Sequence, residues 1–242
     1  VLTVDTPDGK LHPEMLARHM HGFDFEHHSQ PGVISISQAT EMGTVYTSGE
    51  VKELADYAHA HGLLLHMDGA RIANAAVTLG VPFREFTSGA GVDILSFGGT
   101  KNGMMYGEAV CFLKPGLAEG FKYIRKQVMQ LASKMRFIAA QYIAYLSGGL
   151  WKDCASHSNR MARELQRRLK DISGIKITQK VESNGLFVIM PDRVAAQLSR
   201  EYFFYPWNEQ TSEYRLMTSW DTTSDDIVQF ADKLKSMMSE YA

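Results

Sequence analysis

What this 242-residue sequence lacks narrows it first. It carries only two cysteines, Cys111 and Cys154, without CxxC spacing, so neither a disulfide framework nor a cysteine zinc site is expected, and no metal is assigned. Neither sign of charge is in excess: 25 basic against 27 acidic side chains leave a formal charge of −2, which argues against nonspecific binding to nucleic acid. No stretch approaches the roughly 18 uninterrupted apolar residues of a membrane span. The opening VLTVDTPDGK offers neither the basic nor the apolar segment of a secretory leader, and a reducing cytoplasm is the expected setting. Repeats and low-complexity segments are missing as well. What remains is ordinary globular usage, 45% hydrophobic and 21% charged, enough to bury a substantial core.

Short apolar runs alternate with helical stripes through the first half. Val33–Ser37 reads as a buried strand; in EVKELADYAHAHG the positions Val51, Leu54, Ala55 and Ala58 form one helical face closed by Gly62. A strand over 63–67, a small-residue helix in ARIANAAVTLG, and strands over 93–97 and 107–113 follow. This order predicts an α/β domain built on a mostly parallel sheet. The opening is expected to be a strand end, a turn and a helix over 13–21, as of a chain joined in mid-fold. Beyond Pro115 the pattern predicts long helices over 117–147 and 151–172, then strands over 175–180, 185–190 and 214–219 and helices over 191–200 and 224–240. We divide the chain into a large α/β part, 1–147, and a small C-terminal α+β domain, 148–242.

Two constellations carry chemistry. In His66-Met67-Asp68-Gly69-Ala70-Arg71 an acid closes an apolar strand just before a helix. Ligands of open α/β sheets bind beyond the carboxyl ends of strands, so Asp68 faces a crevice; alternatively it caps the next helix. In SFGGTKNG, Lys101 lies in a glycine-bounded turn after the next strand. Partial desolvation there lowers an amine's pKa and favours imine formation, and a plain surface lysine is the other reading. An acid and a lysine at adjacent strand ends suit pyridoxal 5′-phosphate (PLP): the acid keeps the pyridine nitrogen protonated and the lysine holds the aldehyde. A metal site from His61, His66 and Asp68 is the least favoured alternative, since His61 would sit on a helix, His66 on a strand with its side chain opposite to that of Met67, and the ligand set is incomplete.

HMDGARIANA, SFGGTKNGMMYGEAVCF, DGKLHPE and SISQATEMGTVYTSGEV together resemble the low-specificity L-threonine aldolases, fold-type I PLP enzymes of the aromatic amino acid β-eliminating lyase group. The likeness runs through essentially the whole chain. It implies a fold-type I, PLP-dependent transferase-like architecture whose N-terminal portion, with the phosphate cup and ring-stacking residue, is missing here. It implies that Lys101 holds the cofactor, Asp68 pairs with the pyridine nitrogen and Arg71 contacts the cofactor's phenolic oxygen or the substrate side of the ring. Arg215, in Tyr214-Arg215-Leu216-Met217-Thr218, would bind the substrate carboxylate, and His28, or its neighbour His27, would serve as the base near the substrate hydroxyl. The sequence departs from many relatives at Gln38-Ala39-Thr40-Glu41, where they carry an Asn-Thr-His run. The implied reaction is retro-aldol cleavage of L-threonine or L-allo-threonine to glycine and acetaldehyde, in a homodimer or homotetramer. The alternatives are β-elimination on the same scaffold, or a cofactor-free scaffold protein.

Overall fold

The apolar runs become strands and the helical stripes between them become crossovers. A computed structural model describes residues 1–240. β1 (Val33–Ser37), β2 (Leu64–Gly69), β3 (Ile94–Gly98) and β4 (Glu108–Phe112) lie side by side in that order. The first three are parallel and β4 returns antiparallel to β3, because the short loop between them is too brief for a parallel crossover.

The helix α1 (Pro13–Leu16) and a 3-10 turn over Ala17–His19 replace the single helix expected over 13–21. Between β1 and β2, α2 (Ser48–Ala60) opens on a capping box, in which Thr47 accepts from the Glu50 amide while Glu50 accepts from the Thr47 amide. Two of the helix's free N–H groups are thereby satisfied. Its stripe of Val51, Leu54, Ala55 and Ala58 is buried. The helices α3 (Ile72–Leu79) and α4 (Phe83–Phe86) lead from β2 toward β3.

The helix expected over 117–147 is two helices, α5 (Phe121–Gln127) and α6 (Met135–Leu146), and the chain turns between them at Met129, φ 59°. The reason is tertiary. α5 buries no residue and α6 buries only Tyr145, so neither has the packed face that holds a long helix together. α7 (Leu150–Leu169) does have one, with Ala155, Met161, Ala162, Leu165 and Leu169 inside.

In the C-terminal part, β5 (Lys176–Ile177), β6 (Gly185–Ile189), β7 (Tyr205–Asn208) and β8 (Glu213–Met217) form an antiparallel sheet in the order β5-β6-β8-β7, flanked by α8 (Asp192–Leu198) and α9 (Ser224–Glu240). β7 escapes sequence reasoning: all its residues are exposed and it contains Pro206, the signature of an edge strand. No helix among the described residues is long and apolar enough to cross a membrane.

Each sheet has its own hydrophobic cluster, one around Leu65, Met67, Ile72 and Phe86, the other around Leu165, Leu186, Val188 and Leu234. A buried polar seam joins them where α3 crosses α7. Asn74 Nδ2 donates to Asn159 Oδ1 (2.8 Å) and to Ser158 Oγ (2.9 Å), and Asn159 Nδ2 donates to the Asn74 carbonyl (3.0 Å) and to Thr78 Oγ1 (3.1 Å). Thr218 Oγ1 extends the seam from the end of β8 to the Ser158 carbonyl, 2.8 Å. Each bond is modest, yet a buried partner left unmatched costs about 1–3 kcal/mol. Asn159→Ala is therefore expected to destabilise the chain by about 2 kcal/mol or more, read as a lowered urea midpoint. A midpoint unchanged from wild type would show that the seam does not hold the two sheets together.

Candidate active site

The carboxyl ends of β1, β2 and β3 share one edge, since Ser37 pairs with Asp68 and Asp68 with Ser96. Three loops leave from there: 38–47, carrying Glu41; the β2–α3 turn, with Asp68 and Arg71; and the turn after β3, with Lys101. Asp68 is exposed, and Oδ1 accepts the Ala70 amide at 2.8 Å. It thus performs the turn-capping task as well as facing the crevice, and its other oxygen is not hydrogen-bonded by the described residues.

Gly98 brings the two strand ends together. A Cβ on it would sit 2.8 Å from Ala70 Cα and 2.9 Å from a Glu108 carboxylate oxygen, closer than side chains pack. The Lys101 turn is a single 3-10 turn, Thr100–Asn102, ended by Gly103 at φ 102°, a conformation that glycine adopts without strain. The turn is anchored from beneath by Asn102, buried, whose Nδ2 donates to Tyr145 Oη (2.6 Å) and to the Trp151 carbonyl (2.9 Å). Burial lifts the Tyr145 hydroxyl to about 12, against the opposing pull of Asn102, so it stays neutral. Lys101 itself is exposed above this anchor.

Glu108, at the start of β4, is a neighbour that sequence reasoning missed. Solvent reaches it, yet desolvation by the crevice wall raises its carboxyl above the ordinary value; Thr100 and Lys101 pull it back and Asp68 pushes it up further. Glu108 thus lies within electrostatic reach of both Asp68 and Lys101.

The second sheet delivers Arg215. On β8, opposite Phe187 and Tyr205, its guanidinium lies 4.9 Å from the Trp207 ring centroid and 5.4 Å from that of Tyr205. Nη1 donates to Glu41 Oε2 at 2.8 Å, and Glu41 Oε1 accepts from Arg71 Nη1 at 3.4 Å. Burial lowers the Arg71 pKa, Glu41 opposes that and the nearby Arg215 adds to it. Glu41 is held on a loop clamped by Gln38, whose amide pairs with both the N–H and the C=O of Tyr46, 3.0 and 2.8 Å. The signal for Glu41 in the sequence was its place in the departure at 38–41; its bridging of two arginines was not legible there.

His28 is not brought to this crevice. It lies on an exposed loop that enters β1 at its amino end, folded around Gln30, whose Nε2 donates to the Gly22, Phe25 and His28 carbonyls. Its ring contacts are His21 and Phe25, and His27 pairs at 4.0 Å with Glu26. His66 lies between Ser35 and Ser96 on the sheet face, 2.8 and 3.0 Å away.

Two outcomes test this geometry. Asn102→Ala leaves Tyr145 and the Trp151 carbonyl without their donor, and a loss of about 1–3 kcal/mol is expected in denaturant unfolding. For Glu108, a folded pKa above the unfolded value means its contribution is fully present below the unfolded pKa and is lost as pH rises through the folded one. Glu108→Gln should therefore leave Tm unchanged in acid and raise it at neutral pH; a Tm difference independent of pH would contradict the assigned environment.

Residues 1–192 match the family described as beta-eliminating lyase. The chain is 39% identical over 239 residues to the low specificity L-threonine aldolase of a Pseudomonas species, covering 99% of this chain and 69% of that one. Its identity to the enzyme of the same name from Pseudomonas aeruginosa is 40% over 239 residues, 98% and 69% of the two chains. The solved structure of Leishmania major threonine aldolase superimposes with a TM-score of 0.89 at 31% identity, covering 98% of this chain and 70% of that one. The fold is accordingly that of the fold-type I PLP enzymes. The chain belongs to the beta-eliminating lyase family and groups there with the low-specificity threonine aldolases.

Proposed function

We propose that this crevice performs retro-aldol cleavage of L-threonine and L-allo-threonine to glycine and acetaldehyde, with PLP as cofactor. The observation that carries the reading is the convergence of Asp68 and Lys101 beside Glu108, with Arg215 delivered from the second sheet. The residues suit the cofactor: Asp68 keeps a carboxylate oxygen unengaged by the described residues, and the exposed Lys101 stands above a rigid anchor. When bound, PLP supplies an electron-withdrawing ring for the electrons left on the substrate's α-carbon.

The protein's own groups divide the remaining work. Lys101 supplies the amine that holds the cofactor's aldehyde. Asp68 would accept a hydrogen bond from the proton-bearing pyridine nitrogen and so favour its protonated form. Arg71, largely buried at the start of α3, offers its charge to the cofactor's phenolic oxygen or to the substrate side of the ring. Arg215 receives the substrate carboxylate, for which a flat guanidinium stacked on Trp207 is well prepared. A fixed carboxylate limits rotation about the bonds to Cα and so selects the one that breaks. As the Cα–Cβ bond opens, the β-hydroxyl loses its proton and becomes the aldehyde oxygen, and Cα later gains a proton to become glycine. His28, which the resemblance nominated as base, stands outside the crevice described above.

The family's name supports a second reading, β-elimination, which yields a 2-oxo acid and ammonia instead. We further propose a homodimer or homotetramer, supported by the exposed Tyr123, Ile124, Phe137 and Ile143 on α5 and α6, and a cytoplasmic setting, which the free Cys111 and Cys154 suit.

Borohydride treatment of the yellow protein should place a pyridoxyl group on Lys101 by peptide mass mapping, and Lys101→Ala should lose both the label and threonine cleavage. Labelling elsewhere would overturn the assignment. Arg215→Lys is expected to raise KM for L-threonine about 10- to 100-fold, the worth of a charge-assisted bond, with glycine and acetaldehyde still the products.

A further inference from the structure

Arg215 already holds a carboxylate, and it is the protein's own. Glu41 Oε2 accepts from Arg215 Nη1 at 2.8 Å while its Oε1 reaches Arg71 at 3.4 Å. The two guanidinium side chains are 15% and 11% exposed, but Glu41 is 53% exposed. The cations are thus fixed in the wall and the anion lies on the solvent side, able to swing away. The cations outnumber it. Two guanidiniums share one carboxylate, and among the described residues the buried Arg215 Nε has no hydrogen-bond partner, a donor vacancy on the very group that Glu41 engages through Nη1. Such a vacancy is costly unless a ligand fills it. With Glu41 in place, the cavity between Gly43, Ser183, Phe187 and Arg215 measures about 10 Å³, about one water.

From this geometry we infer that Glu41 is an internal counter-ion occupying the substrate-carboxylate site: it neutralises Arg215 in the free protein and is displaced by the carboxylate of the incoming amino acid, remaining tethered to Arg71. The inference rests on the reading of Arg215 as the carboxylate binder and adds the exchange. Its physical logic is that of competition. An arginine facing a crevice without a counter-ion would bind any small anion, whereas one already neutralised is yielded only to a ligand with further contacts to offer. Occupancy by Glu41 weakens carboxylates in proportion to the fraction of time Arg215 is free; a site free about one-tenth of the time binds about tenfold more weakly.

Trp207, stacked on the Arg215 guanidinium, provides a readout that does not depend on turnover. Acetate, a carboxylate with no amine for the cofactor to engage, is titrated into the cofactor-loaded protein while tryptophan emission is followed, with Trp207→Phe identifying the responding ring. Glu41→Gln is expected to bind acetate about tenfold more tightly than wild type and to lower KM for L-threonine, Glu41→Asp to fall between the two, and Arg215→Ala to lose the response. Acetate affinity in Glu41→Gln equal to or weaker than that of wild type would overturn the exchange, and so would Glu41→Asp binding no more tightly than wild type should the Gln variant not fold. If the acetate shift appears but no variant, nor the wild type, cleaves threonine, the exchange stands and the aldolase reading falls.

Discussion

The site depends on a handful of buried amide contacts between two helices. Asn74 and Asn159, each essentially inaccessible to solvent, pair side chain to side chain where α3 crosses α7. α3 begins directly after Arg71, and α7 is tied through Ser158 to Thr218 at the end of the strand that carries Arg215. Asp68 and Arg215 belong to different sheets with different hydrophobic clusters. Apolar packing alone tolerates sliding, since it has no directionality; hydrogen bonds buried in a dry seam have both direction and a penalty for misalignment. That constraint fixes the position of Arg215 relative to Asp68.

Asp68 and Lys101 both act on Glu108, and Glu41 bridges Arg71 and Arg215. Burial of Arg71 beside another arginine is tolerable only because Glu41 stands between them. The same carboxylate that bridges the pair of arginines neutralises Arg215, so ligand binding becomes an exchange of anions rather than the addition of one. Trp207 and Tyr205 both lie against the Arg215 guanidinium, and Phe187 supports Trp207 in an edge-on contact, centroids 5.1 Å apart. Precision comes from the strands and the anchored turn; adaptability is left to one half-exposed side chain.

Much of this was legible in the residues. The strand Val33–Ser37, the Val51–Ala58 stripe and the placement of Asp68 and Lys101 at neighbouring strand ends follow from periodicity and glycine punctuation. The continuous helix over 117–147 was misread because helical propensity is local, while the continuity of a helix depends on a face to bury. β7 was missed because an exposed, proline-containing edge strand has no hydrophobic alternation to detect. His28 looked available for chemistry because histidine titrates near neutrality, but Gln30 folds its loop upon itself.

By itself the sequence determined the fold class, the family, and the residue types that can hold a cofactor, since those are written in spacing along one segment at a time. Only the tertiary structure decided which charges meet. Glu41 and Arg215 are 174 positions apart, and Glu108 reaches Lys101 across an antiparallel return; no local pattern encodes such contacts. The Glu41–Arg215 pair arises from the joint geometry of two sheets locked by the α3–α7 seam, and an ion pair that depends on that geometry exists only once the whole chain has folded.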